Sequence, residues 1–148
     1  MTGQLDHSPE DIVRRSLINN ALGTLPSASG SWPIGVAVES ENPDSCITVY
    51  GTEGIDQGRD MVASSRTEKY GIQIRVRSAK YTDCFGRARD IAEVLDSTIY
   101  RESVTIDSST YLIQAITRTG PPLFIGKDSP TSKRTVFVVN AVASITKT

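Results

Sequence analysis

The sequence predicts an α+β domain, a mostly antiparallel sheet with two helices packed on one face, and three features carry that expectation. Residues 70–100, YGIQIRVRSAKYTDCFGRARDIAEVLDSTIY, change from strict alternation to helical spacing in mid-course. A capped amphipathic segment stands near the N-terminus, and several alternating runs are separated by glycine, proline and small polar residues.

In chain order, Ser8-Pro9-Glu10-Asp11 supplies a hydroxyl cap, a proline at the first helical position and acids in the first turn. Ile12, Val13, Leu17, Ala21 and Leu22 then form an apolar stripe, and Gly23 is the expected left-handed stop. Arg14 and Arg15 read as a solvated helix face. The TLPSASGS connection follows, and Trp32 is expected in the core. Ile34, Val36 and Val38 alternate with Gly35, Ala37 and Glu39, and CITVY alternates again after the turn ENPDS, so the two runs read as a hairpin. Residues 52–69, TEGIDQGRDMVASSRTEK, read as a long loop. A loop of that length inside a compact domain points to partner binding or to an irregular hairpin.

The central strand places Ile72, Ile74 and Val76 on a core face and Gln73, Arg75 and Arg77 on a wet one. Thr82 is the expected cap of the second helix, whose stripe is Phe85, Ala88, Ala92, Leu95 and Ile99. Residues 103–107 and 111–118 read as strands, the latter apolar on much of both faces, and Gly120-Pro121-Pro122 must interrupt it. Residues 126–134 are turn-like. The final run, TVFVVNAVASI, is apolar on both sides and belongs in the sheet centre or at a subunit interface.

The 148 residues fit a single domain, 1–148, large enough to bury roughly two-thirds of the unfolded surface. Sixteen basic residues against seventeen acidic ones leave a net charge of -1, which argues against tight nucleic-acid binding. Cys46 and Cys84 have no metal-binding spacing and read as buried reduced thiols. Neither a signal peptide nor a membrane-length apolar run is present, so a soluble protein made in a reducing compartment is expected.

The sequence offers no catalytic, cofactor-binding or metal-binding set. His7 is the only histidine and lies in a polar lead, where solvation is expected. No Gly-x-Ser-x-Gly elbow appears, and Gly54 and Gly58 lack the Gly-Lys-Ser/Thr ending of a phosphate loop. Asp90, Glu93 and Asp96 read as a solvated helix face.

The passages WPIGVAVES, ITVYGTEGIDQGRDM, GIQIRVRSAKYTDCFGRARDIAEVLD and YLIQAITRTGPPLFIGKDSPTSKRTVFVVNAVASI resemble the minor capsid or tail terminator proteins of long-tailed bacteriophages. The likeness runs from about Ile12 to Ile145. It departs from the family pattern at residues 61–70, which lack the glycine and histidine expected before the GIQIRVR strand. The resemblance implies a homo-oligomer, a six-membered ring on the tail tube that stops tube polymerisation and joins the head through a connector or stopper protein. Genomic DNA then passes through the lumen without specific binding, and the protein sits in the virion at the head-tail junction after assembly in the host cytoplasm. A head-completion or connector protein on the portal side is the alternative, and a small cytosolic binding module or enzyme is the third reading. Rings of this symmetry use head-to-tail contacts and need two different patches on each subunit. The interface candidates are Arg59, Met61, Arg66 and Lys69 in the long loop, and Arg75 and Arg77 on the strand.

Overall fold

In the computed structural model, which describes residues 5–26, 31–41, 43–59 and 66–148, and only the backbone of 55–59 and 66–68, two helices lie against a curled mixed sheet. The elements are α1 (Pro9–Asn19), β1 (Ile34–Val36), β2 (Cys46–Arg59), β3 (Arg66–Ser78), α2 (Tyr81–Ser97), β4 (Tyr100–Ile106), β5 (Ser109–Arg118), β6 (Leu123–Lys127) and β7 (Thr135–Lys147). The sheet order is β1-β2-β3-β7-β5-β4, with β6 also paired to β7. β1 joins β2 in parallel, and the other named pairs are antiparallel.

Helix α1 begins as its sequence requires. Ser8 is the N-cap and its hydroxyl accepts from the Asp11 amide, while Pro9 occupies a position whose N–H has no helical partner. Its end differs from expectation: the left-handed residue is Ala21, at φ 61°, and not Gly23. Gly23 serves close approach instead, because a Cβ there would overlap the Trp32 carbonyl oxygen and the Ile34 side chain. Trp32 packs half-buried against the core, with the Arg87 guanidinium 4.8 Å from its ring centroid.

The central strand and second helix lie where the change of period puts them. Ile72, Ile74 and Val76 are buried with Ile47, Val49, Phe137 and Val139 of the neighbouring strands. Ile12, Val13 and Leu17 of α1 and Cys84, Ala88, Ile91 and Leu95 of α2 join the same cluster. Each such aliphatic side chain contributes about 1.5–3 kcal/mol relative to exposure. Helix α2 is capped at Lys80 without a side-chain bond, so Thr82 lies inside the helix and is not its cap. Phe85 falls off the expected core stripe and is exposed.

Three further expectations are corrected. The runs before and after ENPDS do not form a hairpin: Ile34 pairs with Ile47 and Val36 with Val49 in parallel, and Ala37 turns the chain at φ 63°. Of residues 52–69, read as a loop, 52–59 and 66–69 belong to strands, since β2 and β3 pair antiparallel out to Arg59 opposite Arg66, and 60–65 lie outside the described residues. The turn-like reading of residues 126–134 begins too early, since Gly126 and Lys127 still belong to β6, which resumes the pairing on β7 that β5 leaves. The Gly-Pro-Pro triplet therefore breaks one line of pairing into two strands.

The polar lead is tethered and not merely solvated. The Tyr111 hydroxyl accepts from the Asp6 and His7 amides at 3.2 and 3.1 Å and lies 2.6 Å from His7 Nδ1. The Ser16 hydroxyl donates to Glu102 of β4, which also accepts from Asn20 Nδ2 at 2.8 Å, so the first helix is bonded to the sheet by polar as well as apolar contacts.

Ile74 has no exposure and no polar group at hand, so Ile74→Asp places an unpaired carboxylate in the core. We expect loss of the cooperative thermal transition, followed by circular dichroism. A soluble variant that melts cooperatively would show that the two faces of β3 are assigned wrongly.

Candidate functional site

The face of the sheet turned away from the apolar cluster carries Cys46 and Thr48 of β2, Gln73, Arg75 and Arg77 of β3, and Val136, Val138 and Asn140 of β7, matched in register. Alternation predicts a wet surface here. Instead Arg77 is only 3% exposed, and Cys46, Thr48, Val136 and Val138 are buried. The chain between β1 and β2 folds over Arg77.

Arg77 holds that chain in place. Its Nε donates to the Asp44 carbonyl at 3.2 Å, Nη1 to Glu39 Oε1 at 2.9 Å, and Nη2 to the carbonyls of Ser40, Pro43 and Glu41 at 2.5, 2.8 and 3.3 Å. The planar fork of arginine suits such a ring of acceptors, and a lysine ammonium cannot span it. Glu39 is shared: its Oε2 lies 2.7 Å from Arg75 Nε. Arg75 also approaches Asp128 at 3.9 Å, and Asp128 pairs with Arg134 at 2.6 Å. Arg134 Nη1 in turn donates to the Glu41 carbonyl at 2.8 Å. The candidates Arg75 and Arg77 thus meet acidic partners within their own subunit.

Arg59, Arg66 and Lys69 lie on an arm. Beyond Tyr70, opposite Ala143, β3 leaves β7 and continues paired to β2 alone, while β7 continues against β5. The four residues from Arg66 to Lys69 project about 13 Å past that fork. Gly54 and Gly71 form its root, because a Cβ on Gly54 would overlap the Lys69 carbonyl and one on Gly71 the Thr52 hydroxyl and Glu53 carbonyl. The pairing shifts register there, between Thr52 and Ile55. Arg59 and Arg66 face each other across the far end of the pairing, Lys69 sits near the root opposite Ile55, and Met61 lies outside the described residues. Lys69 also borders a groove of about 260 Å³ with Ala115, Thr117 and Val142. The structure therefore places Arg59, Arg66 and Lys69 on the arm and Arg75 and Arg77 at the β1–β2 connection.

Sequence reasoning missed a further surface. Leu123, Phe124 and Ile125 of β6 are 57%, 44% and 47% exposed, and Phe124 stacks edgewise on Tyr81 with centroids 5.3 Å apart. Three consecutive apolar residues after Pro121-Pro122 were its only signal.

Among the described residues no group of three or more His, Cys, Asp or Glu is placed to hold a metal ion, and no helix is long and apolar enough to cross a membrane. Both cysteines are free and buried, and burial pushes both thiols up from their ordinary value. The folded chain holds these protons more tightly than the unfolded chain. That contribution to stability is present below the unfolded thiol pKa and is lost as pH rises through the raised one.

Because Arg77 satisfies a whole segment, Arg77→Ala should cost about 3–5 kcal/mol in denaturant unfolding, while Arg75→Ala, at a partly exposed pair that leaves Glu39 still bonded to Arg77, should cost clearly less, about 1 kcal/mol. Alkylation at pH 8 locates the damage. In the wild type neither thiol should react until denatured; in Arg77→Ala, Cys46 should become reactive while Cys84 stays protected. Equal losses from the two arginine variants, or simultaneous exposure of both thiols, would refute an anchoring role for Arg77.

Among curated proteins none matches this sequence. Among solved structures, one described as the virion of a native gene transfer agent particle is similar at 9% identity and a TM-score of 0.48, covering 76% of this chain and 78% of that one. Another is 13% identical with a TM-score of 0.49, covering 96% and 97%. The family model described as bacteriophage tail terminator protein matches residues 16–147, from the middle of α1 to the end of β7. On that match the chain belongs to the bacteriophage tail terminator family and is a structural component of a phage tail.

Proposed function

We propose that this protein caps the phage tail tube as a ring of six like subunits, ends tube elongation and presents the surface to which the head is joined. The family match over residues 16–147 carries the reading. In this scheme the tail tube protein lies on one side and the connector or stopper protein on the other, at the proximal end of the tail.

The arm bearing Arg59, Met61, Arg66 and Lys69 reaches over a neighbour, while Arg75 and Arg77 act from within by fixing the segment between β1 and β2. The near-neutral chain, with a net charge of -1, suits a lumen through which DNA slides, because a strongly basic one would retain phosphates.

Purified protein mixed with tail tubes, followed by light scattering and electron microscopy, tests the reading. One ring per tube end is expected, with tubes of uniform length. Protein that ignores tubes and binds filled heads would transfer it to the connector role, and protein that binds neither would overturn both. Trimming the arm within residues 53–69 should leave a folded subunit, since the apolar core lies elsewhere, but impair tail-length control or head joining. Normal infectivity of a trimmed virion would remove the arm from the mechanism.

A further inference from the structure

Among the described residues Tyr111 is the largest fully buried side chain, and its hydroxyl is where the core meets the polar lead. A tyrosine hydroxyl has one hydrogen to give and two acceptor sites. The amides of Asp6 and His7 donate to it at 3.2 and 3.1 Å and so occupy both acceptor sites. Its hydrogen is then left for His7 Nδ1, 2.6 Å away, and the imidazole stands edge-on to the phenol ring at 89°, with centroids 5.7 Å apart. That count fixes the tautomer. Nδ1 is the bare nitrogen, and Nε2 carries the hydrogen and faces Asp107 Oδ2 at 3.4 Å.

The other bonds of the lead do not depend on the imidazole. Asp6 accepts from Lys147 Nζ at 2.6 Å and from the Ser109 hydroxyl at 3.0 Å. Lys147 first, and then Ser109, hold the Asp6 carboxyl below its ordinary value, while Asp6 holds the Lys147 ammonium above its own. That pair therefore stays charged from neutral to mildly acid pH. The charged groups around His7 are thus Asp107 on the β4–β5 turn, Asp6 beside it in the lead and Lys147 on β7. Asp107 attracts a cation at Nε2, but its side chain is 87% exposed, so the attraction is largely screened. At Nδ1 the conflict is direct. A proton there meets an oxygen whose acceptor sites are both taken, and the hydroxyl hydrogen loses its only acceptor.

We propose that His7 and Tyr111 form a proton-released latch: with the imidazole neutral the lead is fastened to β5, and a proton taken from solvent onto Nδ1 frees it. No bond between heavy atoms changes. Nδ1 gains the proton, the Tyr111 O–H turns away, and the ring and the two amides leave the hydroxyl together. The Asp6 bonds to Lys147 and Ser109 remain, but they are exposed and hold the lead weakly by themselves. The latch is independent of the ring reading, because every group in it belongs to one subunit.

Nitrogen NMR of the whole chain reads the tautomer of His7 and the backbone order of the lead in one sample. At about pH 8 the ring should be the Nε2–H tautomer, with Asp6 and His7 as ordered as β5; at about pH 5, across the range in which imidazoles charge, that order should be lost while β5 keeps its own. His7→Asn retains a carbonyl acceptor near the place of Nδ1 and cannot be protonated, so its lead should stay ordered at both pH values. Tyr111→Phe keeps the buried ring and removes the hydroxyl, so its lead should be loose at both, with a thermal transition that remains cooperative. An Nδ1–H tautomer at pH 8, or a lead that stays ordered at pH 5 on a protonated ring, overturns the latch. So does a His7→Asn lead that loosens in acid as the wild type does, because another group is then the one that titrates.

Discussion

The buried Arg77 guanidinium is the constraint from which much of the outer face follows. Taking a charge out of water costs several kcal/mol even after relaxation, and only complete hydrogen bonding offsets it. Here the Glu39 carboxylate and four backbone carbonyls of the β1–β2 connection supply the acceptors. Those same carbonyls sit in a segment without regular secondary structure, so the bargain is mutual: the arginine satisfies the segment, and the segment buries the arginine. With the connection fixed, β1 can return beside β2 in parallel, and Cys46, Thr48, Val136 and Val138 are covered.

Local periodicity made the core legible. Alternation through Ile72, Ile74 and Val76, and three- and four-residue spacing through Ala88, Ala92 and Leu95, each report which side chains share a face, and the fold places them all inside. The cap at Ser8 was equally plain, because one hydroxyl bonds an amide three residues away. What failed to show depended on distant partners. The connection that returns β1 beside β2 is bonded to Arg77, more than thirty residues beyond it. A hairpin reading was the natural error for two short alternating runs around a proline-bearing turn.

The arm and β6 were hidden for different reasons. The paired stretches 52–59 and 66–69 carry β2 and β3 past the sheet, no apolar and polar alternation runs through their sequence, and glycines at the root mimic a loop. Strand β6 is short, lies directly after two prolines and exposes its apolar side chains, which removes the contrast that marks a half-buried strand. The site residues followed the same logic. Arg75 and Arg77 were singled out by their position on β3, but only tertiary structure could reveal that their partners belong to the same chain.

A division of labour follows between the two features that leave the subunit unfinished. A two-stranded ribbon standing alone in water is marginal, and this one is rich in charge, with Glu53, Asp56, Arg59, Arg66, Glu68 and Lys69 along it. Such a composition cannot derive much binding energy from apolar burial, but it can span a wet interface and adapt to a polar partner. Strand β6 is the converse: short, apolar and carried by strand pairing to β7 and ring packing on Phe137, so its side chains have little freedom to lose. On the proposed reading the polar arm reaches from one subunit to the next. Its length can be altered without disturbing the core, because the fork at Tyr70 divides the arm from the strands that form the core.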